Sequence, residues 1–161
     1  PRRMPRTPPG RQPLWWAVAL AGALAAHGAS AVGPFASAPP PQRPGATPAA
    51  QPAGAADYRT AAAQHVYASY PGQVLKGKVR ANVYAIVVTE TDVDAGGRVT
   101  LVRVLRQPSH APEVAPWVVS MIRAAAPFPP PAKARRTRYV ETWLVDASGQ
   151  FQVRTLTEGQ L

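Results

Sequence analysis

The sequence predicts an α+β fold: a two-layer sandwich in which an antiparallel sheet of two hairpins carries two helices on one face. Three observations predict it. Two segments place apolar residues at helical spacing, and four segments are rich in β-branched and aromatic residues. These segments follow one another as helix, hairpin, helix, hairpin. Packing both helices on one face of the sheet buries the apolar side of each element.

Two segments are predicted as helices. The first begins at Asp57, which can cap it, and ends before the Tyr70-Pro71 pair, because a residue that precedes proline disfavours helical backbone. The second covers residues 113–126, where Pro116 is tolerated in the first turn and Pro127 closes the helix. Its apolar face consists of Val114, Trp117, Val118, Met121, Ile122 and Ala125.

Four segments are predicted as strands because Val, Ile, Tyr and Thr dominate them: residues 79–93, 99–105, 138–145 and 151–156. The Asp-Ala-Gly-Gly sequence at 94–97 favours a turn that joins the first two strands. Residues 146–150 join the last two strands. The sequence therefore predicts two hairpins, one before and one after the second helix.

The last strand, 151–156, is expected at the edge of the sheet. An edge strand presents unpaired backbone groups, which can pair with an extended segment of a partner or with a second copy of this chain. The side chains of Phe151, Val153 and Thr155 are expected on one face of the strand. Gln152 and Arg154 are expected on the other face, where a partner can contact them.

The N-terminal residues are predicted to be a leader. Residues 14–26 form a short apolar run preceded by arginines, which is typical of a signal peptide. Ala29-Ser30-Ala31 offers a cleavage site after Ala31, so residues 1–31 would be removed and the protein would be periplasmic. The alternative is an uncleaved anchor that continues through His27 and holds the protein in the inner membrane, facing the periplasm.

A linker and one domain are predicted to follow the leader. Residues 32–56 consist almost wholly of Pro, Ala, Gly, Ser, Gln and Thr, with Phe35 as their one aromatic residue. Such a segment buries too little apolar surface to offset the entropy of ordering it, so we expect a disordered linker. Residues 57–161 contain all the predicted helices and strands and form the folded domain.

Charge and composition exclude some functions and disfavour others. The chain contains no cysteine, which excludes disulfides and cysteine-ligated metals. It carries 18 Lys and Arg against 8 Asp and Glu, a formal net charge of +10. Four of the arginines precede the apolar run, where positive charge orients a segment in the membrane. The others are spread over several elements without the interleaved aromatic residues that stack on bases, so nucleic acid is not a predicted partner.

Several motifs occur in an order that resembles the C-terminal domain of TonB and TolA-like proteins. They are Tyr70-Pro71, Gly77-Lys78-Val79, the turn at 94–97 followed by Arg98-Val99-Thr100, and Pro127-Phe128-Pro129. The resemblance covers about residues 57–156. It implies a periplasmic domain that binds an envelope protein, an outer-membrane receptor or an assembly factor, and that transmits energy for transport through the receptor. Without a retained leader, the alternative is a periplasmic adaptor or assembly module without energy transduction.

No catalytic set of residues is recognised. The three histidines are too scattered to share a metal ion, Ser120 has no neighbouring histidine, and Ser69, Ser109 and Ser148 fall at predicted turns. Asp92, Asp94 and Gly97 are interpreted as part of a hairpin turn, because no acidic residue closes a calcium loop there. We therefore predict a protein that is not an enzyme and that uses no cofactor or metal. A periplasmic enzyme with an unrecognised site is the less favoured alternative.

The predicted partner-binding residues lie on the last two strands: Tyr139, Trp143, Phe151, Val153 and Arg154. Tyr139 and Trp143 share a strand face with Glu141 and are expected to be partly exposed. Partly exposed aromatic side chains dominate the energetics of many protein interfaces. Acidic residues such as Glu141 are interpreted as part of a solvated strand face.

We predict that the exported protein begins at Val32. A short apolar run followed by small residues is cleaved by a signal peptidase, whereas a membrane anchor requires about 20 apolar residues. Intact-mass measurement of the protein purified from cells checks this prediction. A mass that includes residues 14–26 would contradict cleavage and favour the anchored protein.

Overall fold

The structure is a computed structural model that describes residues 33–43, 54–79, 83–132 and 135–159. These residues belong to one compact unit, Ala31–Leu161. The predicted leader and its cleavage site lie outside the described residues, as do residues 44–53 of the predicted linker. Within the described ranges, no helix has the length and apolar character needed to cross a membrane.

Two helices and four strands alternate in the predicted order. They are α1 (Ala55–Ser69), β1 (Ala85–Val93), β2 (Val99–Arg106), α2 (Val114–Ala124), β3 (Thr137–Val145) and β4 (Phe151–Val153), which a 3-10 turn (Arg154–Leu156) follows. All neighbouring strands are antiparallel, and their order across the sheet is β2-β1-β3-β4. The α+β class and the order helix, hairpin, helix, hairpin are confirmed.

The start of α1, the start of β1 and the end of β4 differ from their predicted positions, and the other ends agree to within two residues. α1 begins two residues before Asp57, and Gly54 is its N-cap, so the predicted Asp57 cap is wrong. Asp57 lies in the first turn instead, where its negative charge stabilises the helix by interacting with the positive end of the helix dipole. β1 begins at Ala85, six residues after the predicted start, and the Val79 N–H donates to Gly159 O at 3.0 Å. β4 ends after three residues, where the chain turns into the 3-10 turn.

The core lies between the helices and one face of the sheet, and aromatic side chains fill much of it. Trp143 Nε1 donates a hydrogen bond to Thr89 Oγ1 at 3.1 Å, which joins the two central strands inside the core. The Tyr58 and Tyr70 hydroxyls donate to the carbonyl oxygens of Pro129 and Met121. Burial raises the pKa of both tyrosines to about 12, so they remain donors at neutral pH.

Part of the predicted linker lies against the folded domain. Phe35 and Ala38 are partly buried against the core, and Gln42 N donates a hydrogen bond to Ser69 O at 2.7 Å. We call residues 33–43 the strap. The expectation of a linker without core contacts is therefore wrong for the strap, because one aromatic residue is enough to anchor a short segment in an apolar groove.

We predict that Gly97→Ala destabilises the domain and that Gly72→Ala does not. Gly97 has a φ of +83°, and a Cβ there would collide with the carbonyl oxygen of Phe128, whose backbone N–H donates to Gly97 O at 2.7 Å. We expect Gly97→Ala to lower the free energy of unfolding by at least about 2 kcal/mol. At Gly72 an added Cβ meets no atom within 4 Å.

Urea unfolding of both variants measures the two changes. The expected change for Gly72→Ala is within about 0.5 kcal/mol. Equal stability of the two variants would show that the turn after β1 does not pack against Phe128.

Candidate partner-binding groove

Six of the nine β3 residues have no neighbouring strand on one side within the described residues. β4 is three residues long and pairs only with residues 143–145 of β3. Residues 137–142 of β3 pair with β1 on their other side. No strand within the described residues lies beside them on the β4 side. Part of a central strand is therefore open to an incoming strand.

β4 lies at the sheet edge, as predicted, but its outward backbone groups already have partners. Phe151 N donates to Gln73 O at 2.8 Å, and Leu75 N donates to Phe151 O at 2.9 Å. Val153 N donates to the Tyr67 hydroxyl at 3.1 Å. The expectation that the last strand offers unpaired backbone groups is therefore wrong, because the segment after α1 and a side chain of α1 cover this edge.

The direction of the β3 backbone groups follows from the same bonds. Phe151 turns its N–H and C=O away from β3, so the next residue of β4 faces Leu144. Backbone groups alternate along a strand, so Arg138, Val140 and Thr142 turn theirs to the same side as Leu144. Thr142 N donates to the side chain of Glu141. Within the described residues no backbone partner meets the outward groups of Arg138 and Val140.

Two cavities lie along this open part of β3, residues 137–142, and together we call them the β3 groove. The larger, about 530 Å³, is lined by Arg59, Val140, Glu141, Thr142, Arg154 and Thr155. The second, about 300 Å³, is lined by Ala56, Arg59, Arg138, Tyr139 and Val140. Helix α1 and the 3-10 turn therefore form walls beside the open strand, and Val140 lies between the two cavities with 40% of its surface exposed.

A buried carboxylate lines the groove. Glu141 is only 5% exposed, and its Oε1 accepts hydrogen bonds from Thr142 N at 2.9 Å and Thr155 N at 3.4 Å. Its Oε2 is buried and has no hydrogen-bond partner within the described residues. Burial of a polar atom without a partner is costly, so Glu141 keeps an unused hydrogen-bond acceptor beside the groove.

The rim of the groove is basic. Arg59 and Arg154 are exposed, and in the described part of the chain neither lies within ion-pair distance of a carboxylate. Arg138 differs, because its guanidinium bonds both carboxylate oxygens of Asp92, at 2.6 and 3.0 Å. This interaction lowers the pKa of Asp92. Two unpaired guanidinium groups therefore remain beside the open strand, where they attract acidic ligands.

Four of the five predicted partner-binding residues belong to the core. Tyr139, Trp143, Phe151 and Val153 are each at most 7% exposed. The expectation that Tyr139 and Trp143 are partly exposed is wrong, because the strand face that they share with Glu141 is the face that the helices cover. Arg154 is exposed and lines the β3 groove, but it lies in the 3-10 turn and not in a strand.

Sequence reasoning missed Arg59, Val140 and the burial of Glu141. Arg59 lies on a helix 82 residues from Glu141 in the chain, and no motif connects the two. Side chains alternate along β3, so Tyr139 and Glu141 lie on one face and Val140 on the other. Both faces contain apolar residues, so the residue types alone do not show which face is buried. The one signal that could have found the groove is the break in β-strand pattern after Val153.

The other acidic residues have structural roles. Asp94 Oδ1 accepts hydrogen bonds from Gly96 N and Arg98 N, both at 2.9 Å, so the turn at 94–97 is a hairpin turn, as predicted. Glu90 pairs with Arg103 at 2.8 Å on the sheet face away from the helices. Within the described residues no group of three or more His, Cys, Asp or Glu side chains could hold a metal ion.

We predict that Asp92→Asn lowers stability at neutral pH and has no effect in acid. The pKa of Asp92 is lowered in the folded protein, so its ionised form contributes stability above its unfolded pKa of about 3.9. This contribution is lost as the pH falls through the lowered pKa. Melting temperatures of both proteins from pH 7 to about pH 2 should therefore converge. A pH-independent difference would contradict the ion pair. Glu158→Gln, at an exposed carboxylate, is the control.

Comparisons with known proteins add no family to this description. The chain matches no protein-family model, no curated protein and no solved structure.

Proposed function

We propose that the protein is an exported, TonB-like module that binds an extended segment of another envelope protein in the β3 groove. One observation carries this proposal: a central strand of the sheet has outward backbone groups at Arg138 and Val140 that lack partners within the described residues. Extended peptides bind such edges by adding a strand. The β3 groove thus takes the role first expected of the last strand.

An added strand could form only a few backbone hydrogen bonds in the groove. An incoming segment would continue the line of β4 along β3 and bond to Arg138 and Val140. Each added hydrogen bond contributes about 0.5–1.5 kcal/mol. So few bonds support a weak, reversible complex, and contacts with the walls formed by α1 and the 3-10 turn supply the remaining affinity and the specificity.

Charge indicates the chemistry of the bound segment. Arg59 and Arg154 attract a segment with acidic residues, and their effect weakens as salt screens it. Glu141 Oε2 repels a carboxylate but accepts a hydrogen bond from a backbone amide or from a Ser, Asn or Gln side chain. The segment that fits best is therefore extended, acidic at its ends and uncharged opposite Glu141.

The outer edge of β2 offers a longer strand, but it lies apart from the β3 groove. β2 spans eight residues, and its apolar Leu101 and Leu105 are exposed. None of the described cavities that line β3 extends along it. Exposed edges without a groove favour unspecific pairing rather than recognition of one segment. β2 therefore serves as the comparison edge in the test.

The wider role follows from the leader. If the leader is retained, the domain is anchored to the inner membrane, and the resemblance to TonB supports transmission of energy to an outer-membrane receptor. If the leader is cleaved, the same groove serves a periplasmic adaptor or assembly module. Both roles require the same binding event, so binding is tested first.

Val140→Pro tests the proposal at the backbone. The Val140 N–H faces the open side of β3, so proline there removes no bond to β1 and is tolerated as at other edge positions. Val140→Ala is the matched control, because it shortens the side chain and keeps the N–H. We expect Val140→Pro to reduce crosslinking to envelope partners at least about tenfold and Val140→Ala to reduce it less than threefold.

A photoreactive residue placed in the groove wall at Arg59 provides the crosslinking readout in cells. A second photoreactive residue at Leu105 reports on the β2 edge. Crosslinks from Leu105 alone, or equal crosslinking of the proline and alanine variants, would contradict binding in the β3 groove. Melting curves of both variants show whether the proline leaves the domain folded.

A further inference from the structure

The strap occupies a second groove, and Phe35 is its anchor. The Phe35 ring stacks on Tyr84 with a centroid distance of 5.7 Å and an interplanar angle of 6°. It meets Trp117 edge to face, at 5.3 Å and 86°. We call the surface on which the strap lies the Phe35 groove; Tyr84, Glu113, Trp117 and Ala147 belong to it. With the strap in place, a cavity of about 520 Å³ remains between this surface and residues 33–36.

The groove also receives the proline that precedes Phe35. Pro34 lies so close to Gly149 that a Cβ at this glycine would be 3.2 Å from Pro34 Cβ. The Tyr84 hydroxyl is held by a hydrogen bond to Glu113 Oε1 at 2.8 Å, which orients the ring on which Phe35 stacks. A flat aromatic wall beside a close backbone approach suits a proline followed by an aromatic residue.

The strap fills this groove incompletely. Phe35 stays only partly buried, and the bond from Gln42 N to Ser69 O is the one hydrogen bond between strap and domain within the described residues. Trp117 is 3% exposed, and its Nε1 donor is buried without an acceptor in the described part of the chain. The ring that contacts Phe35 therefore carries a polar group that the strap does not satisfy.

We propose that the Phe35 groove is a binding site for a proline-rich, aromatic-containing segment of a protein partner, and that the strap occupies it in cis as a competitor. Proline-rich segments are already extended before they bind, so they lose little entropy on binding. The strap contributes one partly buried aromatic side chain and one backbone hydrogen bond, so a partner segment that buries more aromatic surface on Tyr84 and Trp117 binds more tightly. Such a segment can replace the strap.

The Phe35 groove and the β3 groove are separate. Tyr84 immediately precedes β1, whose first residue pairs with Val145 at the end of β3. The β3 groove lies along residues 137–142, in the first part of the same strand. Occupation of one groove can therefore be measured without the other, and this inference does not depend on the proposed function.

Competition from the tethered strap should weaken the apparent affinity for a free segment by a measurable factor. A tethered ligand acts at an effective concentration of about 1 mM. If the free segment binds an empty groove with a dissociation constant of about 0.1 mM, the strap weakens its apparent binding about tenfold. Loss of the strap's aromatic anchor should restore the full affinity.

The probe is a fluorescent synthetic peptide with the sequence of residues 33–43, and anisotropy measures its binding to the protein purified in its exported form. We expect Phe35→Ala to bind the peptide at least about tenfold more tightly than the wild type. Ser37→Ala, at an exposed strap position, is the matched control and should bind like the wild type. A peptide that has alanine in place of its phenylalanine should not bind.

Two further variants assign the site. Tyr84→Ala, added to Phe35→Ala, should abolish peptide binding, whereas Val140→Pro, added to Phe35→Ala, should not change it. Phe35→Leu keeps apolar volume in the groove and should bind the peptide with intermediate affinity, which keeps the test decisive if Phe35→Ala unfolds. No binding to either Phe35 variant, or equal binding to these variants and the wild type, would overturn the proposal.

Discussion

The pairing of β1 with β3 is the constraint on which the rest of the structure depends. Each hairpin can form locally, but only this antiparallel pairing, from Ala85 opposite Val145 to Val93 opposite Thr137, joins the two hairpins into one sheet. The hydrogen bond from Trp143 to Thr89 holds the same two strands inside the core. With this register, the side chains of Tyr139, Glu141 and Trp143 all face the helices, because a shift of one residue would turn every side chain to the opposite face.

The short β4 creates the β3 groove. If β4 continued as a strand beyond Val153, it would cover the outward groups of Val140 and Arg138. The chain turns into the 3-10 turn instead, and Thr155 N bonds to Glu141. On the outer side of β4, the Gln152 amide donates to the carbonyl oxygens of Leu75 and Gly77, which completes the cover over that edge. The β4 edge is thus closed, while residues 137–142 of β3 have no neighbouring strand on this side within the described residues.

Most charged side chains of the central strands have partners. On the sheet face away from the helices, Asp92 pairs with Arg138 and Glu90 pairs with Arg103. Three side-chain atoms are buried without partners in the described residues: Thr91 Oγ1, Trp117 Nε1 and Glu141 Oε2. Unsatisfied buried atoms are rare in folded proteins; Glu141 lines the β3 groove and the Trp117 ring contacts Phe35 of the strap.

The order and type of the elements followed from the sequence alone, because helical spacing, β-branched runs and turn glycines act over a few residues. The α+β class, the hairpin turn at 94–97 and the end of α1 at Ser69 all depend on such local signals. The candidate sites depend on contacts between distant residues, which local signals do not specify. The edge of β4 is covered by a segment 77 residues away in the chain, Phe35 lies on Trp117, and Arg59 lies beside Glu141. Only the tertiary structure decided which strand edge is open and which aromatic residues are buried, because packing of the whole chain determines both.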